Sequence, residues 1–205
     1  MSPGPSPTRL LVLRHGQSEW NAAGRWQGHA DVPLDETGRG QAADAAVRIA
    51  GLGGFAAVWA SDLHRAVATA EAIAEAIGVD RVTTDVRLRE NDVGPWEGMT
   101  QSEVEHGWPG FLAARRRPDG FEPYTAAATR MLDAFRAIAE LHPASCVVVV
   151  SHGGVMRATR RTLGAEDQHL PNLAGNWFEV EPDGTVVAGD LVASDDVPPA
   201  RSEVL

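Results

Sequence analysis

The chain has 205 residues and a formal net charge of −10, and all 18 of its basic residues are arginines. Because lysine is absent, Schiff-base and pyridoxal chemistry and the lysine-containing phosphate loops are excluded, and any bound anion must be held by arginine. The acidic charge disfavours nucleic acid as a partner. The single cysteine, Cys146, excludes an internal disulfide and a cysteine-based zinc site.

The length and the absence of a second hydrophobic unit predict one domain over 1–205. Residues 1–8 are rich in proline and serine and do not resemble a secretory signal. The sequence has no run of about 18 apolar residues that could span a membrane. We therefore expect a cytoplasmic protein with no membrane partner.

The first predicted element is a short buried strand over 9–14, which leads into Arg14 and His15. Asp35 can cap a helix that runs to about Ala50. The next elements, in chain order, are a strand over Ala56–Ala60, an alanine-rich helix from about Ala66 to Ile77 that Gly78 ends, and a weaker strand over Val82–Leu88.

Residues 91–124 are rich in glycine, proline, tryptophan and arginine and are only weakly periodic. We expect them to form a short cap-like insertion over the site, in which the tryptophans pack against the core or the lid. The Arg115–Arg117 run is either an exposed, solvated face or a patch that attracts anionic substrate.

The remaining predicted elements are an amphipathic helix over Thr125–Leu141, a valine-rich strand that ends at Ser151-His152-Gly153, a helix from about Val155 to Leu163, and a terminal hairpin of Asn176–Val180 and Thr185–Asp190. We expect the polar tail, 195–205, to be mobile. A tail that folds back towards the pocket or a dimer partner is the alternative.

Alternating strands and helices with uninterrupted apolar strands predict an α/β fold, in which a mostly parallel sheet carries helices on both faces. In such sheets, ligands bind beyond the carboxyl ends of the strands. This rule places six polar residues on one rim although they are far apart in the sequence: Arg14, His15, Asp62, Arg65, Glu90 and His152.

This set of side chains predicts a phosphoryl-transfer site. A neutral imidazole can attack phosphorus and form a phosphohistidine, a role that we assign to His15. Arg14 and Arg65 supply the fixed cations that stabilise the transition state. His152 is a third donor, cationic if its surroundings keep it protonated. Glu90 can protonate the leaving alkoxide and then accept a proton from water.

Neutral donors complete the predicted phosphate site: Asn21, Gln27 and Gly153. Other interpretations stay open on the residues alone. Glu90 has three alternatives by spacing: Glu75, Glu97 and Glu103. A zinc site could combine His15 and His152 with Asp62 or Glu90, although two nearby arginines would repel the metal.

Three motifs resemble those of the histidine phosphatase superfamily, in its phosphoglycerate-mutase-like branch, and the match runs over nearly the whole length. Residues 13–21 (LRHGQSEWN) resemble the nucleophile motif, 61–66 (SDLHRA) the second-arginine motif, and 151–154 (SHGG) the second-histidine motif. The segment 88–98 (LRENDVGPWEG) is similar to the family segment whose first glutamate is the proton donor, which selects Glu90. The resemblance implies catalysis without a metal or another cofactor.

Within this family, the residues after Glu90 favour a phosphatase. Mutases of the family usually follow the acidic residue with Arg-x-Tyr-Gly and carry a longer insertion, whereas 91–94 here read NDVG and the insertion is short. A mutase must shield its phosphohistidine from water, and a phosphatase must admit water. The chain resembles broad-specificity acid phosphatases and glucosyl-3-phosphoglycerate phosphatases.

We therefore predict a metal-independent phosphomonoesterase that hydrolyses a small phosphorylated metabolite through a phosphohistidine. A cofactor-dependent phosphoglycerate mutase is the alternative, and a non-catalytic phosphate-binding module is a third interpretation. Because the proton donor must begin protonated, we expect an acid phosphatase with an optimum below neutrality. The sequence leaves a monomer and a homodimer both open.

Overall fold

A computed structural model describes residues 6–166 and 168–193, so that the predicted mobile tail lies outside the described residues. The strands are β1 (Thr8–Arg14), β2 (Phe55–Ala60), β3 (Val82–Thr84), β4 (Cys146–Ser151), β5 (Gly175–Val180) and β6 (Val186–Val192). The α-helices are α1 (Glu19–Ala22), α2 (Glu36–Leu52), α3 (His64–Ile77), α4 (Gln101–Gly107), α5 (Tyr124–Leu141) and α6 (Gly153–Thr162). None of the helices in these ranges is long and apolar enough to cross a membrane.

The strands form one sheet in the order β3-β2-β4-β1-β5-β6. The first four strands along the chain pair in parallel, and β5 and β6 add an antiparallel hairpin beside β1. The central pair, β1 and β4, is in a register that sets Arg14 opposite Ser151. The two His-Gly sequences therefore leave neighbouring strand ends, and the predicted mostly parallel α/β sheet is confirmed.

Both faces of the central strands are buried, which explains their uninterrupted apolar sequences. Leu10 and Val12 of β1 belong to the core cluster formed with α5 and α6. Leu11 and Leu13 belong to the cluster formed with α2 and α3 on the opposite face. Alternate residues of one strand thus anchor helices on both sides of the sheet.

Local signals set the predicted ends of two helices. The Asp35 side chain accepts a hydrogen bond from the backbone N–H of Gly38 at 2.7 Å and caps the start of α2. Gly78 has a φ of 73° and ends α3 in the left-handed conformation that glycine adopts without a steric penalty. Both residues act as the sequence predicts.

The third predicted strand is wrong over its second half. β3 ends at Thr84, and Val86–Leu88 forms a 3₁₀ turn instead. The Asp85 carboxylate accepts a hydrogen bond from the backbone N–H of Arg87 at 2.8 Å, and such local bonds compete with a sheet ladder. The Ser151 hydroxyl then donates to the carbonyl oxygen of Leu88 at 2.8 Å, so that the chain stays close to the end of β4.

Residues 91–124 leave the sheet and form a small apolar cluster of their own, which includes Val93, Trp96, Val104 and Phe121. Trp96 is fully buried, and the ring centroids of Trp26 and Trp108 lie 5.1 and 6.3 Å from its own. The tryptophans therefore pack against one another and hold this segment together beside the sheet.

Candidate active site

A cavity of about 490 Å³ lies at the carboxyl ends of β1 and β4. Seven of the eight predicted site residues line it: Arg14, His15, Asn21, Gln27, Arg65, Glu90 and Gly153. The eighth, His152, is fully buried beside them, with its ring centroid 5.0 Å from that of His15. Asp62, which we expected on the same rim, is not in the wall, because its carboxylate accepts a hydrogen bond from the Arg89 guanidinium at 2.7 Å.

His15 follows β1 in a tightly packed loop and is 3% exposed. Its Nδ1 lies 2.6 Å from the carbonyl oxygen of Gly16, and because a carbonyl oxygen can only accept, Nδ1 carries the proton of the ring. Burial, followed by the charges of Arg65 and Arg14, lowers the pKa of His15 well below 6.5. The ring is therefore neutral, and Nε2 holds the free lone pair that a nucleophile needs.

Arg65 presents a buried positive charge to the cavity. It is fully buried, and its two terminal nitrogens donate to the carbonyl oxygens of Ala30 and Gly28 at 2.6 and 3.0 Å. Its Nε has no hydrogen-bond partner among the described residues. Burial lowers the pKa of Arg65 to about 10, and the opposite charge of Glu90 limits this shift. The guanidinium therefore stays charged at neutral pH. Such a group can bind a phosphate oxygen.

Arg14 supplies the second guanidinium from the end of β1. One of its terminal nitrogens donates to the carbonyl oxygen of Leu170 at 2.7 Å, which fixes the side chain over the sheet edge. A Cβ added at Gly153 would lie 3.3 Å from Cδ of Arg14, so the small residue leaves room for the arginine. Burial lowers the pKa of Arg14, and the charge of Glu90 opposes that shift.

His152 is neutral in this cavity, whereas the sequence left a cationic ring open. Burial, followed by the charge of Arg65, lowers the pKa of His152 well below 6.5. Neither ring nitrogen has a hydrogen-bond partner in the described part of the chain. The ring can therefore donate one N–H to a bound phosphate. Within the same described ranges, no group of three or more His, Cys, Asp or Glu side chains is placed to hold a metal ion.

The carboxylate of Glu90 binds the first turn of α6. Its Oε1 accepts hydrogen bonds from the backbone N–H groups of Asn91 and Val155, both at 2.8 Å, and its Oε2 accepts one from Gly154 at 2.9 Å. Each carboxylate oxygen has two lone pairs, so Oε1 is saturated and Oε2 keeps one free. A Cβ added at Gly154 would lie 2.6 Å from Oε1, which explains the second glycine after His152.

Ser18 orients both predicted amide donors. Its hydroxyl oxygen accepts from the backbone N–H of Asn21 at 3.2 Å and donates to Oε1 of Gln27 at 2.9 Å. Its own N–H donates to Oδ1 of Asn21 at 3.2 Å. Both amide oxygens are engaged, so the two NH₂ groups are left to bind a phosphate oxygen. The sequence did not indicate this role of Ser18.

The sequence also missed most of the outer wall, which includes Arg25, Trp26, Leu112, Phe121, Tyr124 and Arg157. Part of this wall comes from 91–124, as the predicted cap implies. Weak periodicity could not show which of its side chains face inwards.

Arg115–Arg117 is absent from the wall. The Arg116 guanidinium covers the Phe111 ring at 4.2 Å, and the Arg117 guanidinium donates to the Tyr124 hydroxyl at 3.0 Å. The positions of these two side chains favour a packing role over direct contact with a ligand.

Comparisons with known proteins give one family. A family model described as histidine phosphatase superfamily (branch 1) matches residues 10–188. A glucosyl-3-phosphoglycerate phosphatase of Mycolicibacterium vanbaalenii is 37% identical over 190 residues, which cover 84% of this chain and 83% of that protein. A probable phosphoglycerate mutase GpmB of Cronobacter sakazakii is 41% identical over 215 residues, which cover 92% and 98%.

A solved structure of a mycobacterial glucosyl-3-phosphoglycerate phosphatase with VO3 matches this fold with a TM-score of 0.79 and 29% sequence identity. The match covers 94% of this chain and 99% of that one. Sequence and structure thus point to the same group of enzymes.

Proposed function

The chain belongs to the histidine phosphatase superfamily and is a phosphomonoesterase, for which we propose a two-step reaction through a phosphohistidine at His15. The observation that supports the nucleophile best is the hydrogen bond from Nδ1 of His15 to the carbonyl oxygen of Gly16, 2.6 Å long. It leaves Nε2 unprotonated in a cavity that Arg14 and Arg65 also line.

In the first step, Nε2 of His15 attacks phosphorus and the P–O bond to the leaving alcohol breaks. Arg14 and Arg65 neutralise the charge that spreads over the phosphoryl oxygens, and the N–H of His152 adds a third donor. Glu90 gives its proton to the leaving alkoxide. Oε2 is the atom that we propose to carry this proton, because among the described residues it accepts one backbone hydrogen bond and Oε1 accepts two.

In the second step, water attacks the phosphohistidine. The Glu90 carboxylate, now deprotonated, accepts a proton from that water, the Nε2–P bond breaks, and phosphate leaves with its charge balanced by the two arginines. The cycle returns His15 to its neutral form and Glu90 to its acid form. No metal takes part in this proposed scheme.

Relatives with mutase names make phosphoglycerate isomerisation the second candidate. We expect hydrolysis to dominate, because the short segment 91–124 is a small cover for a phosphoenzyme that must exclude water. The test incubates the protein with 3-phosphoglycerate and measures released phosphate and 2-phosphoglycerate in one tube. More isomer than phosphate would contradict the proposal, and His15→Ala serves as the blank.

The substrate that we propose is a small phosphorylated metabolite with an apolar or ring-shaped face. The cavity is larger than one phosphate group, and Trp26, Leu112 and Phe121 give its outer part an apolar surface. A panel of glucosyl-3-phosphoglycerate, sugar phosphates, phosphoglycerates and nucleotides would rank the candidates by kcat/KM. The proposal includes a cytoplasmic location, which cell fractionation tests.

The lowered pKa of His15 predicts how the protein responds to acid. An ordinary histidine is half protonated at about pH 6.5, whereas His15 stays neutral and nucleophilic to a pH well below 6.5. The unfolded chain takes up that proton first, so the free energy of unfolding must fall as the pH drops below about 6.5. Nitrogen NMR of the ring and urea unfolding at two pH values measure both effects.

A His15 ring that titrates at or above 6.5 in the folded protein would contradict this prediction.

At alkaline pH, activity is expected to decline because Glu90 must begin as the acid. A rate that still increases above about pH 9 would contradict Glu90 as the proton donor.

A further inference from the structure

The segment that carries Glu90 is neither helix nor strand, so its position depends on contacts with the rest of the protein. The main contact is Arg130 of α5. Its Nη1 donates to the carbonyl oxygens of Arg87 and Arg89 at 2.8 and 2.6 Å, and its Nη2 donates to the carbonyl oxygen of Glu90 at 2.8 Å. One guanidinium therefore holds three carbonyl groups at and just before the proposed proton donor.

The other donors of Arg130 bind Glu122. Nε and Nη2 donate to its two carboxylate oxygens, both at 2.8 Å. All five N–H groups of the guanidinium are therefore used. Glu122 in turn exchanges two hydrogen bonds with the backbone of Asp92, at 3.1 and 2.8 Å, and so fixes the chain after Glu90 as well.

A second side chain supports the same peptide. Nε2 of His29 lies 2.8 Å from the carbonyl oxygen of Glu90 and donates to it. Arg130 and His29 thus converge on one carbonyl group, and neither of them lines the cavity. Neither side chain lines the cavity, so Arg130 can affect catalysis only through the position of Glu90 or through its charge, which helps to lower the pKa of His152.

We propose that Arg130, held by Glu122, is a positioning residue that sets the Glu90 carboxyl group at the distance needed for proton transfer. The inference depends on the proposed role of Glu90. Proton transfer needs hydrogen-bond geometry, and a displacement of about 1 Å can cost a reaction about 10²-fold. Lysine cannot replace Arg130, because one ammonium group has three donors and no planar fork.

The test uses the leaving group as the readout. p-Nitrophenolate leaves with little help from an acid, whereas the alkoxide of glycerol 2-phosphate must be protonated. For both esters, kcat/KM reports only the steps up to release of the alcohol. We expect Arg130→Lys and Arg130→Met to lower kcat/KM about 10- to 100-fold for glycerol 2-phosphate and by less than about threefold for p-nitrophenyl phosphate.

Arg130→Lys and two further variants make the result specific. Arg130→Lys retains the positive charge that helps to lower the pKa of His152, so it separates geometry from charge. Glu122→Gln keeps Arg130 but removes the carboxylate that orients its guanidinium. If the Arg130 variants do not fold, Glu122→Gln is measured in their place. Arg136→Met removes a half-exposed arginine of the same helix, which binds Asp133 and Gly184, and is expected to change neither rate.

Glu90→Gln is measured in parallel to separate this inference from the proposed function. Suppose that Glu90→Gln lowers kcat/KM mainly for glycerol 2-phosphate, whereas the variants of Arg130 and Glu122 lower kcat/KM equally for both esters. The positioning role is then overturned and Glu90 remains the acid. If Glu90→Gln also lowers kcat/KM equally for both esters, the proposed role of Glu90 fails and the inference fails with it. The same selective loss in Glu90→Gln and in the variants of Arg130 and Glu122, with Arg136→Met unchanged, supports both.

Discussion

Replacement of His15 by alanine is expected to lower kcat at least about 10⁴-fold, because the proposed phosphoryl acceptor is removed and the covalent pathway is lost. In the folded protein, Nδ1 of His15 is held by Gly16 and the low pKa keeps Nε2 unprotonated. These two conditions define a nucleophile that acts without a separate base. The measurement is turnover of p-nitrophenyl phosphate.

The matched control for this variant is His106→Ala, which removes an exposed histidine of α4 and should leave turnover unchanged. Thermal unfolding of both variants shows whether the fold survives. Wild-type turnover by folded His15→Ala would refute the phosphohistidine mechanism. The remaining arginines would then have to support direct attack by water.

Arg65→Met is expected to lower kcat/KM about 10²- to 10³-fold, the cost of one preorganised donor to a developing anion. Arg65 is fully buried, its pKa is lowered to about 10, and its Nε has no hydrogen-bond partner among the described residues. A charge kept in this position costs desolvation free energy. Attraction to a bound phosphoryl group, the role that we propose for Arg65, would offset this cost.

The affinity of Arg65→Met for inorganic phosphate, measured by calorimetry, should fall in parallel with its kcat/KM. The control is Arg81→Met, which removes an exposed arginine in the loop between α3 and β3. The loss of two hydrogen bonds to Ala30 and Gly28 destabilises the variant, while the removal of a buried charge offsets that cost. An unchanged kcat/KM would exclude Arg65 from the phosphoryl site.

The rim of the sheet could be predicted because one local pattern occurs twice. Each central strand is an apolar run that ends in His-Gly, and parallel strands place such ends side by side. Arg14, His15 and His152 follow from that rule alone. Asp35 and Gly78 were equally visible, since capping depends on residues that are close in sequence.

Most features that could not be predicted depend on distant contacts. A local exception is Val82–Leu88, which has the composition of a strand although Asp85 turns its second half into a 3₁₀ turn. The neutral state of His152 arises from burial and from Arg65, which is far away in sequence. Arg130 lies within the predicted amphipathic helix, and only the tertiary structure places it against the Glu90 segment.

The most direct test is to trap the phosphoenzyme. The protein is mixed with a phosphorus-labelled ester, quenched in alkali within one turnover, digested, and mapped by mass spectrometry. We expect an alkali-stable, acid-labile phosphoramidate on Nε2 of His15, formed at the rate of alcohol release. Label on any other residue, or a burst of alcohol without labelled protein, would contradict it.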